Sequence, residues 1–350
     1  MPGLGTAGGK FQISTGWHSA WAHRDYFDSR YNRTFTNNWR PYERISIFDV
    51  TGRWNVNQRF AVTATLPIVF NKFSLLLPPV NHPKGKRYGW NANGLGDVTL
   101  STQTWILKPE KHPYGNVAFI LGMKVPTGNW DVRKMMPDET GKNFAKRAIY
   151  PPAVMPGDGG VGAIVGFSAY KTFRRPTWLR TFTFFASGQY LLNPRNTNGT
   201  PSMVASLGTP GLPGMPLVNS VTDSYSWEAG FAMKVPKTWQ YENLKGMRFR
   251  LVTGMEGIPS RDLIGRSGGL RQPAYSINIG PGFSYQRKRD FFIVEVPFII
   301  GQHVNPGKTY LPGVPTIGAN GQLIPASFNP ARQMGLVPPL TLSVRYVRSL

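Results

Sequence analysis

Polar and apolar positions alternate with period two along most of this chain, the signature of half-buried strands. Twelve such segments can be traced: Lys10–Tyr26, Tyr42–Val56, Arg59–Phe73, Gly94–Leu107, Asn116–Pro126, Gly160–Phe173, Trp178–Leu192, Ser224–Val235, Met247–Ile258, Ala274–Arg287, Asp290–Gly301 and Pro339–Val347. They are longer than the roughly five or six residues of soluble strands and reach the roughly nine to eleven that a tilted membrane strand needs. No helix-period segment of useful length stands out. The connections alternate in length. Asn57–Gln58, Lys108–Gly115, Arg174–Thr177, Pro236–Gly246 and Lys288–Arg289 are short; Phe27–Pro41, Ser74–Asn93, Thr127–Gly159, Asn193–Asp223, Pro259–Pro273 and Gln302–Pro338 are long. This rhythm predicts an all-β protein: a transmembrane antiparallel β-barrel of about 12 strands, with short periplasmic turns and long extracellular loops. An even strand number puts both termini on the periplasmic side, and residues 1–350 read as one domain.

The faces support this orientation. In the second segment Phe48, Val50, Trp54 and Val56 oppose Asp49, Thr51, Arg53 and Asn55; in the third, Phe60, Val62, Leu66, Ile68 and Phe70 oppose Arg59, Thr63, Thr65 and Asn71. An apolar outside around a polar inside is the membrane-barrel pattern, the reverse of a soluble barrel. The clear charges on the apolar face, Lys171, Arg180 and Arg348, fall near periplasmic strand ends, where long side chains can snorkel. Aromatics gather at both ends of that face, with Trp17, Trp21, Phe48, Phe70, Tyr190, Tyr225 and Tyr275 on the loop side. Trp54, Phe60, Phe173, Phe182, Tyr285, Phe292 and Tyr346 lie on the turn side.

Composition removes the competitors. Of 350 residues 13% are aromatic, too many for a disordered basic tail; Gly (39) and Pro (31) are too frequent for a helical bundle; there is no cysteine for a disulfide scaffold. No apolar run approaches the length of a membrane helix. The first ten residues carry no signal-peptide core, so a mature form with an added Met is expected. A net charge of +23 suggests polyanions at first sight. Sorting by face gives another account. The predicted inward charges are Asp49, Arg53, Arg59, Asp97, Lys124, Glu228, Lys234, Arg248, Arg250, Glu256, Glu295 and Arg345, seven basic against five acidic. The rest of the excess falls in loops, turns and strand ends, such as Lys84, Lys86 and Arg87 or Arg287, Lys288 and Arg289. Those positions face lipid and lipopolysaccharide head groups, and no nucleic acid is expected as a partner.

Three short motifs stand in order: Gly94-Leu95-Gly96-Asp97, then Gly122-Met123-Lys124-Val125-Pro126-Thr127-Gly128, then Pro156-Gly157-Asp158-Gly159-Gly160. In this order they resemble the outer-membrane barrels grouped with the phenol-degradation meta-pathway proteins, most clearly over residues 94–173. The resemblance implies an outer-membrane barrel that passes small or aromatic molecules, and it brings no catalytic residues. The chain departs from that family in its basicity and in ending at Leu350 rather than an aromatic.

Nothing in the spacing asks for an enzyme. The five histidines, His18, His23, His82, His112 and His303, form no nucleophile or metal pattern, and neither Gly-x-Ser-x-Gly nor His-Glu-x-x-His occurs. No cofactor or metal is expected. Asn198-Gly199-Thr200 fits a glycosylation sequon but is expected to be a turn. The inward charges read either as a self-neutralising network or as a weakly cation-lined passage for anionic or polar solutes. Loops 193–223 and 302–338 are apolar, through Met203, Leu207, Leu212 and Met215, and through Tyr310, Leu311, Ile317, Leu323 and Phe328. They read as plugs or as docking surfaces for a protein partner. The leading expectation is a bacterial outer-membrane channel or passive transporter for small molecules; the rival is a structural barrel that docks envelope proteins or neighbouring copies.

Overall fold

The computed structural model describes residues 9–77, 86–136, 146–149, 152–173, 176, 179, 181–202, 218–235, 245–304, 316–317, 323–324 and 334–350. One antiparallel sheet closes on itself in twelve staves. They are β1 (Phe11–Ala22), β2 (Tyr42–Asn55), β3 (Phe60–Leu77), β4 (Lys86–Leu95 and Val98–Trp105), β5 (Gly115–Val125), β6 (Gly162–Thr172), β7 (Phe182–Leu192), β8 (Ser224–Lys234), β9 (Met247–Ile258), β10 (Ala274–Arg287), β11 (Asp290–Glu295 and Phe298–Val304) and β12 (Thr341–Ser349). Each pairs with the next in sequence. β1 then pairs with β12, from Gln12↔Ser349 to Ala20↔Thr341, and leaves no edge. Closure satisfies every ladder group internally, which hydrocarbon demands.

The pattern of alternation places these staves well, and Met247–Ile258 and Ala274–Arg287 agree at both ends. The outer wall carries exposed Trp17, Trp54, Leu66, Phe70, Leu121, Phe167, Trp227 and Phe292. In water such a belt would aggregate; in lipid it is the required surface. Aromatic pairs mark its ends, with Phe11–Trp54 and Phe292–Tyr346 near the turns and Tyr190–Tyr225 near the loops.

Two staves are broken. β11 is interrupted at Val296–Pro297, where proline withdraws a ladder donor. Opposite it stands Gly280, whose missing Cβ would lie 2.6 Å from the Pro297 Cα. β4 is interrupted at Gly96–Asp97, directly at the first sequence motif.

The long connections depart from a simple loop reading. The segment expected as the loop Ser74–Asn93 is largely strand, since β3 and the first part of β4 continue their pairing out to Leu77↔Lys86. Burial explains the extension: Trp90 and Ala92 pack with Val154, Phe73 and Met155. Phe27–Pro41 contains a short helix, Arg33–Trp39. Other connections carry small ladders, Arg24–Phe27 with Met334–Val337 and Thr197–Pro201 with Val218–Ser220. Among the described residues no helix is long and apolar enough to cross a membrane.

Candidate functional site

A cavity of about 460 Å³ lies inside the barrel. Period-two alternation turns short polar side chains into it, among them Thr63, Ser101, Gln103, Ser168, Ser187, Gln189, Ser226, Asn278 and Ser343. Of the twelve charged positions predicted for the lumen, Arg53, Glu228, Glu256 and Glu295 line this cavity. Arg53 is held in place on both sides: its Nε donates to Asn55 Oδ1 at 3.0 Å and its Nη1 to Gln103 Oε1 at 2.6 Å. Gln103 Nε2 in turn donates to Ser168 Oγ at 3.3 Å. Glu228 accepts from Ser187 Oγ at 3.1 Å. His18 also lines the wall, although sequence reasoning singled it out only to set it aside.

Toward the periplasm large side chains turn into the lumen as a floor. Phe185, Ala232 and Val252 form a buried inward cluster with Tyr170 against it, and Trp105 meets Tyr170 edge-on at 5.7 Å. Arg250 stacks over the Phe185 ring at 4.4 Å and donates through Nε to Glu295 Oε1 at 2.6 Å, with both side chains nearly inaccessible. Two glycines create the space. A Cβ at Gly282 would meet Glu295 Cγ at 2.7 Å, and one at Gly230 would meet the Phe185 ring at 3.0 Å and the Leu251 carbonyl oxygen at 2.3 Å. Alternation identified Arg250 and Glu295 but not their partner ring, because an inward aromatic looks like any other aromatic in a strand.

On the extracellular side the three sequence motifs converge. Lys124 bridges two carboxylates, Asp97 at 3.4 Å and Asp158. Asp97 also accepts from the N–H groups of Gly128 at 2.9 Å and Asp158 at 3.3 Å. Thr127 Oγ1 donates to the Gly96 carbonyl and accepts from the Val98 N–H. A Cβ at Gly128 would lie 2.7 Å from the Pro156 carbonyl oxygen and 2.8 Å from Gly157 Cα, so only glycine permits this approach. Asp97 and Lys124, expected on the lumen wall, therefore tie the long loop to the rim. Pro156–Gly160, the third motif, lies in the same knot ahead of β6.

The knot continues into the neighbouring loops. Arg195 donates to the carbonyls of Gly159, Thr197 and Asn198. Asn198 Nδ2, the nitrogen a glycan would need, donates instead to the Asp158 carbonyl. Asp223 is fully buried and accepts from Tyr190 Oη, the Asn193 N–H and the Leu263 N–H, while Asp262 pairs with Arg271 in complete burial. Together these contacts stitch three connections and the break in β4 into one hydrogen-bonded rim.

The remaining predicted positions scatter. Arg345 and Asp49 pair at 3.4 Å across β1, where a Cβ on Gly16 would lie 2.1 Å from Asp49 Oδ2. Arg59 sits exposed at the β2–β3 turn and donates to the Trp105 and Ile106 carbonyls. Lys234 is exposed at the lower end of β8, and Arg248 is half-buried on β9. Of the loops expected to plug or dock, Met203, Leu207, Leu212, Met215, Tyr310, Leu311 and Phe328 lie outside the described residues. No group of three potential metal-ligating residues occurs among the described residues.

The fold agrees with known barrels. The chain is similar to the crystal structure of an outer-membrane channel from Pseudomonas putida F1, at 10% identity and a TM-score of 0.55, covering 97% of this chain and 95% of that one. Weaker likeness extends to the P. putida toluene transporter TodX (8% identity, TM-score 0.44, 97% and 90% covered) and to a Pseudomonas aeruginosa FadL homologue (10%, 0.41, 97% and 90%). No protein-family model matches the sequence. No curated protein matches it either. The chain has the fold of an outer-membrane β-barrel.

Proposed function

We propose that this barrel is a passive channel for small molecules, acting as a single domain and grouped by its rim motifs with the meta-pathway-associated barrels. One observation carries the reading: a polar cavity lies inside the barrel, between an aromatic floor and a hydrogen-bonded extracellular rim. Such an arrangement suits selective passage of small solutes better than free diffusion through an open porin. The similar barrel from P. putida F1 is a channel, which supports the same reading. The charge expected to favour anions is modest here. Lys124, Arg250 and Arg345 are each engaged by carboxylates, and Arg53 shares the cavity wall with Glu228, Glu256 and Glu295. The cavity therefore supports small uncharged or aromatic solutes with hydrogen-bonding groups over strong anions.

Planar-bilayer recording tests this directly. Wild-type protein is expected to show small unitary conductance, and Phe185→Ala, which opens the floor, a severalfold larger one. Silence from both proteins, together with no solute flux into proteoliposomes, would overturn the channel reading.

A further inference from the structure

On the lipid-facing wall the large side chains give way to small ones along one register row. Ala169, Ala186 and Ala229 are directly paired neighbours on β6, β7 and β8, and the row ends at Val117 on β5 and Thr253 on β9. The next row toward the periplasm carries Phe184 and Phe231, so the alanines form the floor of an apolar trough of about 770 Å³. Five strands about 4.8 Å apart make it about 19 Å long. One leaflet of the hydrocarbon core is about 15 Å deep. An oblique trough of that length fits one extended acyl chain.

The β5 end of the trough is not apolar. Lys171 lines it, and its stem lies over Gly115, where a Cβ would come within 2.8 Å of Lys171 Cδ. The stem is laid flat against the wall with the ammonium free to reach the interface. The adjoining β4–β5 turn, whose Ile106 and Leu107 complete that end, also bears exposed Lys108 and Lys111. The acid of that turn, Glu110, is hydrogen-bonded by Gln58. An apolar trough that ends among lysines is complementary to one kind of occupant.

We propose that this trough is a binding site for a single anionic phospholipid of the periplasmic leaflet, with one acyl chain on the alanine floor and its phosphate at Lys171. The site lies on the outside of the barrel and is independent of what passes through the lumen. Its selectivity comes from shape along the chain and from charge at the head.

Native mass spectrometry of the full chain released from detergent, with phosphatidylglycerol or phosphatidylcholine of identical chains added, tests the site. Wild-type protein should retain one phosphatidylglycerol, about fivefold in preference to phosphatidylcholine, as one lysine at an anionic surface implies. Ala186→Phe with Ala229→Phe should abolish retention of both lipids. Lys171→Gln should keep lipid but lose the preference. Leu66→Phe, on the opposite wall, should change nothing. Heat-modifiable gel migration reports folding of each variant, and Val117→Trp, which blocks the end of the trough, replaces the double variant if that fails to fold. Equal retention of the two lipids by wild type, or undiminished retention by the filled trough, would overturn the proposal.

Discussion

Lys124 shows how much one side chain can hold. It is buried between Asp97, at the break in β4, and Asp158, from the β5–β6 loop, and its charge lets both carboxylates sit at one point of the rim. Lys124→Met leaves two facing acids with no cation between them. Loss of one partner from a buried pair costs about 3–5 kcal/mol. The partial exposure of Asp158 places the expected loss near about 3 kcal/mol, read from urea unfolding in lipid vesicles. Adding Asp97→Asn should recover part of it, and strictly additive losses would disprove the coupling. Asp25 makes a pH-dependent contribution. It is buried in the Arg24–Phe27 ladder, and desolvation pushes its carboxyl up to about 7 even though Asn32 donates to it at 2.8 Å. The folded value lies above the ordinary one of about 3.9, so the protonated form is favoured in the folded loop. That stability is complete below about pH 4 and is lost as pH rises through about 7. Hydrogen exchange at the Asn32 amide, which donates to the Asp25 carbonyl, should be better protected at pH 5 than at pH 8 after correction for intrinsic rates. Asp25→Asn should flatten the difference; an unchanged slope would assign it to another group.

Within a strand, consecutive residues live in different solvents. On β5, Leu121 stands on the outer wall and is 48% exposed to the hydrocarbon side, whereas on β4 Ser101 faces the cavity. Leu121→Arg should therefore cost about 2–4 kcal/mol in lipid vesicles. Ser101→Arg should cost well under half as much, because its head group remains among polar partners. Equal penalties would mean that the facing is wrong. The same alternation made most of the fold legible from the sequence, since a shift of one residue would exchange every pair of faces. It was less informative where strands leave the membrane. Beyond Phe73 the outer face no longer needs to be apolar, so the continuation of β3 to Leu77 and its pairing with Lys86–Leu95 carry no clear period.

For the barrel as a whole, the basic surplus serves more than one purpose. Part of it stands exposed at the strand ends, where lipid head groups would lie, as at Lys171 and at Arg348, which pairs with Asp290. Another share closes loops: Arg59, Arg87, Arg195 and Arg271 all donate to backbone carbonyls of connections. Long loops leave many carbonyls without ladder partners, and arginine, which offers five donors in a fixed fork, satisfies several at once. The excess of +23 and the length of the extracellular connections are in this sense two aspects of one requirement.

Strand number, orientation, lipid-facing belt and the candidate rim motifs all follow from local order along the chain, because alternation and loop length are properties of neighbouring residues. The floor and the rim knot do not. Phe185 with Arg250 and Glu295 joins three staves, and the knot of Asp97, Lys124 and Asp158 joins residues up to 61 positions apart. Which inward side chains meet depends on the register around a closed circumference, and that is decided only when β12 returns to β1.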